Sequence, residues 1–218
     1  MKAFEDIVAD ATIVTLLGAG DVQLADLQDA LALAPTLVCA DAGVDRALDF
    51  GHMPLAGLGD LDSLDRARAD AAGVPLFELA DQDFGDFDKA LAKLGGHLVL
   101  AVGFLGARFD HQLAALTALV RAPGPVVLIG SHDVACIIPR HIKLDLLAGT
   151  RVSLWPLAPS KGRSSGLRWP IDGLSLDPQG RIGTSNMAEG AIEIAVQEGA
   201  LILVLPRSYL DVMAAALS

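Results

Sequence analysis

Over the first 130 residues, short apolar runs rich in β-branched residues alternate with segments whose apolar residues recur at every third and fourth position. The runs are ATIVTLL, TLVCA, PLAGLG, VPLFELA, HLVLAVGF and PVVLIG, and between them lie VQLADLQDALAL, FDKALAKL and HQLAALTALVRA. Continuous apolar runs suit buried strands and a 3.6-residue period suits helices, so their alternation predicts a mainly parallel sheet covered by helices. After residue 133 the texture changes. VACIIP, HIKLDLL, RVSLWPLA, GLRWPI, GLSLD, GRIGTSN, GAIEIAVQEG and ALILVLP follow one another with Gly, Pro and Asp-Pro at the turns. No long helical pattern intervenes before SYLDVMAAALS. Short strands at such regular spacing predict a small antiparallel sandwich or barrel.

The expected fold class is therefore α/β, with a Rossmann-like, mainly parallel domain over 1–133 and an antiparallel β-sandwich domain over 134–218. A chain of 218 residues that is 52% hydrophobic can fill a core of that size. Its net charge of -11 supplies no basic footprint, which argues against nucleic acid and against an anionic membrane as partners. The same acidity is compatible with a polyphosphate when Mg²⁺ bridges the two sets of anions. Cys39 and Cys136 stand in apolar stretches without metal-ligand spacing and read as reduced structural thiols of a cytoplasmic protein. Glu5, Asp6 and Asp10 interrupt the first apolar residues, which is wrong for a signal peptide, and no uncharged apolar run is long enough for a transmembrane helix.

Polar clusters follow four of the six N-terminal apolar runs at once: ADAGVDR, GDLDS, DQDFGDFDK and GARFDH. In an open parallel sheet these carboxyl ends share one edge, where such folds bind ligands. Asp41, Asp60, Asp62, Asp81, Asp83, Asp86, Arg108, Asp110 and His111 are thus candidates for one crevice. A crowd of carboxylates at a ligand edge is tolerated when divalent cations offset it. Each residue also has a structural reading. Asp65 and Asp83 suit a turn or a helix cap, Asp86 opens a helical segment, Arg108 and Asp110 suit a mutual ion pair, and His111 suits packing at a helix start. GAGDVQ, at 18–23, has Gln23 where a dinucleotide fingerprint needs its third glycine, so it reads as a turn into a helix.

Taken in order, CADAGVDRAL, GLGDLDS, DQDFGDFDKAL, GFLGARFDHQLAAL, GLRWPI and GRIGTSNMAEG resemble the successive motifs of the thiamine pyrophosphokinase family. The resemblance implies an N-terminal ATP domain, a C-terminal β domain, a homodimer with thiamine at the subunit interface, and pyrophosphoryl transfer from ATP to thiamine with release of AMP. It makes Asp60, Asp62 and Asp86 the expected Mg²⁺ and phosphate-handling carboxylates, with Asp41, Gln82 and His111 at the nucleotide. Arg108 and Asp110 would sit against the phosphates or the reacting hydroxyl, Trp169 would stack on thiamine, and Ser185 and Asn186 would form the same pocket. The chain departs from the family at Leu61, Gly85, Ala107 and Met187, which bear on pocket shape and leave the carboxylates intact.

The residue types suit that chemistry. Pyrophosphoryl transfer needs an alcohol held in line with the β-phosphorus and a screen for polyphosphate charge. Arg108, with Lys89, adds positive charge, and one of Asp62, Asp86 or Asp110 is the expected acceptor of the hydroxyl proton. A cationic thiazolium suits an acidic pocket with an aromatic face such as that of Trp169. Two other readings account for part of the pattern: a Mg²⁺-dependent phosphohydrolase of the DxD type, and a thiamine or nucleotide sensor without catalysis.

Overall fold

The computed structural model describes residues 3–79, 83–106 and 108–218. The chain divides into two compact units, Met1–Ser131 and His132–Ser218.

In the first unit the apolar runs become β1 (Ile13–Leu17), β2 (Leu37–Ala40), β3 (Ala56–Gly59), β4 (Leu76–Glu78), β5 (Leu98–Val102) and β6 (Val126–Ile129). The periodic segments become α1 (Phe4–Val8), α2 (Leu24–Leu33), α3 (Gly43–Asp49), α4 (Arg66–Ala72), α5 (Asp86–Leu94) and α6 (Phe109–Arg121). Every pairing is parallel and the order is β6-β5-β1-β2-β3-β4. Leu16, Leu17, Leu58, Leu100 and Leu128 are fully buried along these strands, as a sheet covered on both faces requires. From β1 to β4 the chain steps in one direction, then returns to place β5 on the other side of β1. Right-handed crossovers therefore put α2, α3 and α4 on one face and α5 and α6 on the other. The reversal lies between β1 and β5, whose carboxyl ends open a crevice. Glycines let the two backbones close there: a Cβ on Gly18 or Gly20 would stand 2.8 or 2.5 Å from the Gly103 carbonyl oxygen. GAGDVQ is a turn into α2, as read from its sequence, with the Gln23 N–H donating to the Asp26 carboxylate at 2.9 Å.

The second unit contains β7 (Asp133–Ile137), β8 (His141–Leu144), β9 (Arg151–Pro156), β10 (Ser160–Leu167), β11 (Ser175–Leu176), β12 (Gly183–Glu198) and β13 (Leu201–Pro206), closed by α7 (Leu210–Leu217). Its pairings are antiparallel. Two runs that read as separate strands, GRIGTSN and GAIEIAVQEG, contribute to one 16-residue strand. The first part of β12 pairs with β9 and the remainder with β10 and β8, so one strand serves two sheets. GLRWPI, which read as a strand, is one only in its first two residues. β10 stops at Leu167, and Arg168 and Trp169 lie in the following bend. A bulge at Gly166 precedes the bend; its φ of +75° and a Cβ position 2.1 Å from the Ala191 carbonyl oxygen admit glycine alone.

Cys39 and Cys136 are free and buried. Burial pushes both thiols up, that of Cys136 to about 12, which leaves them inert packing groups. Among the described residues no helix is long and apolar enough to cross a membrane.

Candidate active site

Parallel strands deliver the residues that follow them to one edge, and the turns after β2 and β3 deliver Asp41 and Asp60 there. Asp86, the first residue of α5, completes the group. One carboxylate oxygen from each of Asp41, Asp60 and Asp86 lies within 4.8 Å of the other two. Two unusual backbone conformations shape the arrangement. Asp41 adopts φ +43°, with its N–H donating to the Leu58 carbonyl at 2.8 Å, and Gly59 adopts φ +146°. A Cβ on Gly59 would stand 3.1 Å from Asp86 Oδ1 and 3.3 Å from the Asp41 Cβ, so the missing side chain makes the space into which the carboxylates converge.

Lys89, one turn along α5, binds the group together. Its Nζ is 2.7 Å from Asp86 Oδ1 and 3.3 Å from Asp60 Oδ2, and the backbone N–H of Asp60 donates to Asp86 Oδ1 at 3.2 Å. Burial pushes the Asp60 carboxyl up, but the hydrogen bond and charge of Lys89 and the N–H of Asp62 outweigh it and hold it below its ordinary value. Burial likewise pushes the Lys89 ammonium down, and the two carboxylates more than reverse it. Asp41 goes the other way: burial, assisted by the charge of Asp86, raises its carboxyl despite hydrogen bonds from Ala42 and Ser63. Asp41 Oδ1 is buried without a hydrogen-bond partner among the described residues. An oxygen-only donor set with an unsatisfied buried acceptor fits a hard divalent cation such as Mg²⁺.

The structure thus brings together Asp41, Asp60 and Asp86, while the neighbouring Asp62 lies outside the cluster. Asp62 is exposed and accepts from its neighbour Ser63 Oγ at 2.7 Å. The residue between, Leu61, turns into the core with φ +61°. Asp65 caps α4, accepting from the Arg68 N–H at 3.0 Å. Arg108 and Asp110 form an exposed two-bond ion pair at the start of α6, with Nη2 2.6 Å and Nε 3.1 Å from the carboxylate oxygens. The guanidinium's hydrogen bonds hold the Asp110 carboxyl down at about 2. His111 is exposed beside them, its N–H donating to Asp110 Oδ1 at 3.0 Å. Gln82 and Asp81 lie outside the described residues.

In the second unit Trp169, Ser185 and Asn186 form one local assembly. Asn186, 7% exposed, donates from Nδ2 to the Trp169 carbonyl at 2.7 Å, and its Oδ1 accepts from the N–H groups of Trp169 (3.2 Å) and Met187 (2.8 Å). These bonds grip the backbone at Trp169 and leave the indole 54% exposed. Ser185, at φ +62°, donates its N–H to Ser153 Oγ at 3.1 Å. The Arg168 guanidinium lies 5.2 Å from the Trp169 ring centroid. Two features of these sites escape sequence reading, Arg168 over the indole and the grip of Asn186 on the bend, while Asp41, read from the sequence as an edge residue at the nucleotide, stands in the carboxylate cluster itself. Lys89 was visible as a source of charge, and its position three residues after Asp86 was the available signal for the pairing.

A family model described as "Thiamin pyrophosphokinase, catalytic domain" matches residues 27–127, and one described as "Thiamin pyrophosphokinase, vitamin B1 binding domain" matches residues 138–201. Thiamine pyrophosphokinase 1 of Arabidopsis thaliana is 30% identical over 189 residues, covering 70% of this chain and 70% of that protein. Thiamine pyrophosphokinase 2 of the same plant is 29% identical over 191 residues, covering 71% and 72%. Among solved structures, thiamine pyrophosphokinase from Bacillus subtilis superposes with a TM-score of 0.73 at 19% identity, over 89% of this chain and 98% of that one. Thiamin pyrophosphokinase from Candida albicans superposes with a TM-score of 0.76 at 15% identity, over 90% of each chain. At these identities the superpositions speak for the fold.

Proposed function

This chain belongs to the thiamine pyrophosphokinase family, and from that premise we propose that it transfers the pyrophosphoryl group of ATP to the hydroxyl of thiamine, giving thiamine diphosphate and AMP. The observation that carries the proposal is the convergence of Asp41, Asp60 and Asp86 around Lys89 at the ligand edge of the parallel sheet. In this reading residues 1–133 are a Rossmann-like ATP domain and residues 134–218 a β-sandwich that binds thiamine. A homodimer with thiamine at its interface, and a cytoplasmic setting, complete the reading.

Asp41, Asp60 and Asp86 would hold Mg²⁺, in place of the set Asp60, Asp62 and Asp86 that the family motif singles out. When bound, the ion screens the polyphosphate and polarises the bond that breaks. Asp62 remains in solvent and carries no ammonium, which leaves it able to accept the hydroxyl proton. Arg108 contributes a guanidinium for the phosphates, with Asp110 fixing its orientation through two parallel bonds. Gln82 and His111 are proposed at the nucleotide. Trp169 offers an aromatic face to the cationic thiazolium, and Arg168, over the same ring, excludes cations that cannot displace it. Asn186 keeps that bend in place, and Ser185, next to it in sequence and tied to Ser153, is proposed as a wall of the same pocket.

The test is AMP release from ATP and Mg²⁺ with and without thiamine, with the product identified by mass. Thiamine-dependent AMP together with thiamine diphosphate is expected. Phosphoester turnover without ATP would replace the proposal with a phosphohydrolase, and ligand binding without AMP would replace it with a sensor.

A further inference from the structure

Lys89 lies off the apolar stripe of α5, on the side of the helix where a solvated residue is expected, and yet it is buried. Phe87, Ala90, Leu91 and Leu94 of the same helix are buried with it, and the Lys89 side chain itself is only 5% exposed. An ammonium in that position loses hydration that packing alone does not return, so its burial has to be offset by charge. The offset comes from two carboxylates on different elements, Asp60 at the end of β3 and Asp86 at the head of α5. Three carboxylates and one ammonium leave two negative charges (−3 + 1 = −2), which a single divalent cation balances.

We infer that Lys89 is a built-in counterion, which limits the carboxylate cluster to one divalent cation in the nucleotide-free protein and keeps the carboxylates together when no cation is bound. A second ion would turn a half-buried site of balanced charge into one with two uncompensated positive charges. With no ion, the three carboxylates would repel one another across 4.8 Å or less without the ammonium between two of them. Lys89 thus acts through Asp60 and Asp86 and is a positioning residue. The inference rests on the reading that Asp41, Asp60 and Asp86 hold the metal.

Lys89→Met removes the charge at nearly constant volume, and Lys89→Arg keeps it. Mn²⁺ titrated into the nucleotide-free protein, followed by calorimetry and by the electron paramagnetic resonance of the free ion, should give one ion per chain for the parent and for Lys89→Arg. Lys89→Met should take a second ion, or bind the first at least about tenfold more tightly. In EDTA its Tm should fall on the order of 10 °C, and excess Mg²⁺ should restore most of the loss. Two ions in the parent, or unchanged stoichiometry and affinity in Lys89→Met, would overturn the inference. A Tm loss of equal size in EDTA and in Mg²⁺ would do so too, making Lys89 a packing residue. Failure of all three proteins to bind Mn²⁺ would overturn the cluster as a metal site and this inference with it. Absence of thiamine-dependent AMP release, with one Mn²⁺ still bound, would strike only the proposed reaction.

Discussion

Truncating Asn186 to alanine should loosen the bend that carries Trp169 and thereby separate two roles that proximity in sequence obscures. The side chain makes three hydrogen bonds, two to the backbone of Trp169 seventeen residues away and one to the adjacent Met187 N–H. Each such bond contributes about 1 kcal/mol net, and the local Met187 N–H is the easiest to resatisfy with water. The loss should therefore be about 2 to 3 kcal/mol. For a chain of this size that corresponds to a Tm lower by about 4 to 12 °C. Intrinsic fluorescence should report greater solvent access of Trp169, and the KM for thiamine should rise with a smaller effect on kcat. Trp169→Ala provides the contrast. The indole is 54% exposed, so its removal should raise the thiamine KM with little change in Tm. An Asn186→Ala protein with unchanged Tm and unchanged thiamine KM would refute the view that Asn186 organises this pocket.

Three further expectations concern the carboxylates. Asp60→Asn should lose Mn²⁺ binding and turnover together, whereas Asp62→Asn should keep the ion in the nucleotide-free protein and lose turnover by orders of magnitude; a loss of Mn²⁺ in both would place Asp62 in the metal site. Gly59→Ala forces an L side chain into φ +146° and sets a methyl against Asp86, so Tm should drop by about 2 to 12 °C and AMP release should collapse; parent-like melting and turnover would show that the cleft has room to spare. In EDTA the two buried-side carboxylates should respond to pH in opposite senses. Asp60, held below its ordinary value, contributes stability that is complete above that value, 3.8, and vanishes as pH falls through the folded-state value. Asp41, raised above its ordinary value, costs stability at neutral pH, and that cost disappears on acidification. Asp41→Asn should accordingly raise the neutral-pH Tm in EDTA, and a lower Tm would contradict a net cost of burying this carboxylate beside Asp86.

The amino-acid sequence by itself determined that strands and helices alternate over the first 130 residues, that antiparallel strands follow, and that polar clusters sit at strand ends. Those features are periodic and local: a run such as HLVLAVGF can be buried on both faces only inside a covered sheet, and the edge shared by ADAG and GDLDS follows from parallel strands alone. The cap formed by Asp65 and the turn at GAGDVQ were equally legible, because both depend on neighbours within a few residues. Tertiary structure decided which carboxylates meet. The spacing of Asp60 and Asp62 suggested a shared ion, but Leu61 is drawn into the core, leaving Asp62 in solvent while Asp60 faces Asp86 from twenty-six residues further on. Asp41 was already legible on the shared edge, and it meets Asp60 because β2 and β3 are adjacent in the sheet, an order that no local pattern encodes. The long β12 is tertiary in the same sense: its two parts pair with different strands, β9 and β10, whereas its sequence reads as two runs around the weak strand former Gly190. Periodicity reports what each segment must bury, while site geometry depends on which buried segments pack side by side.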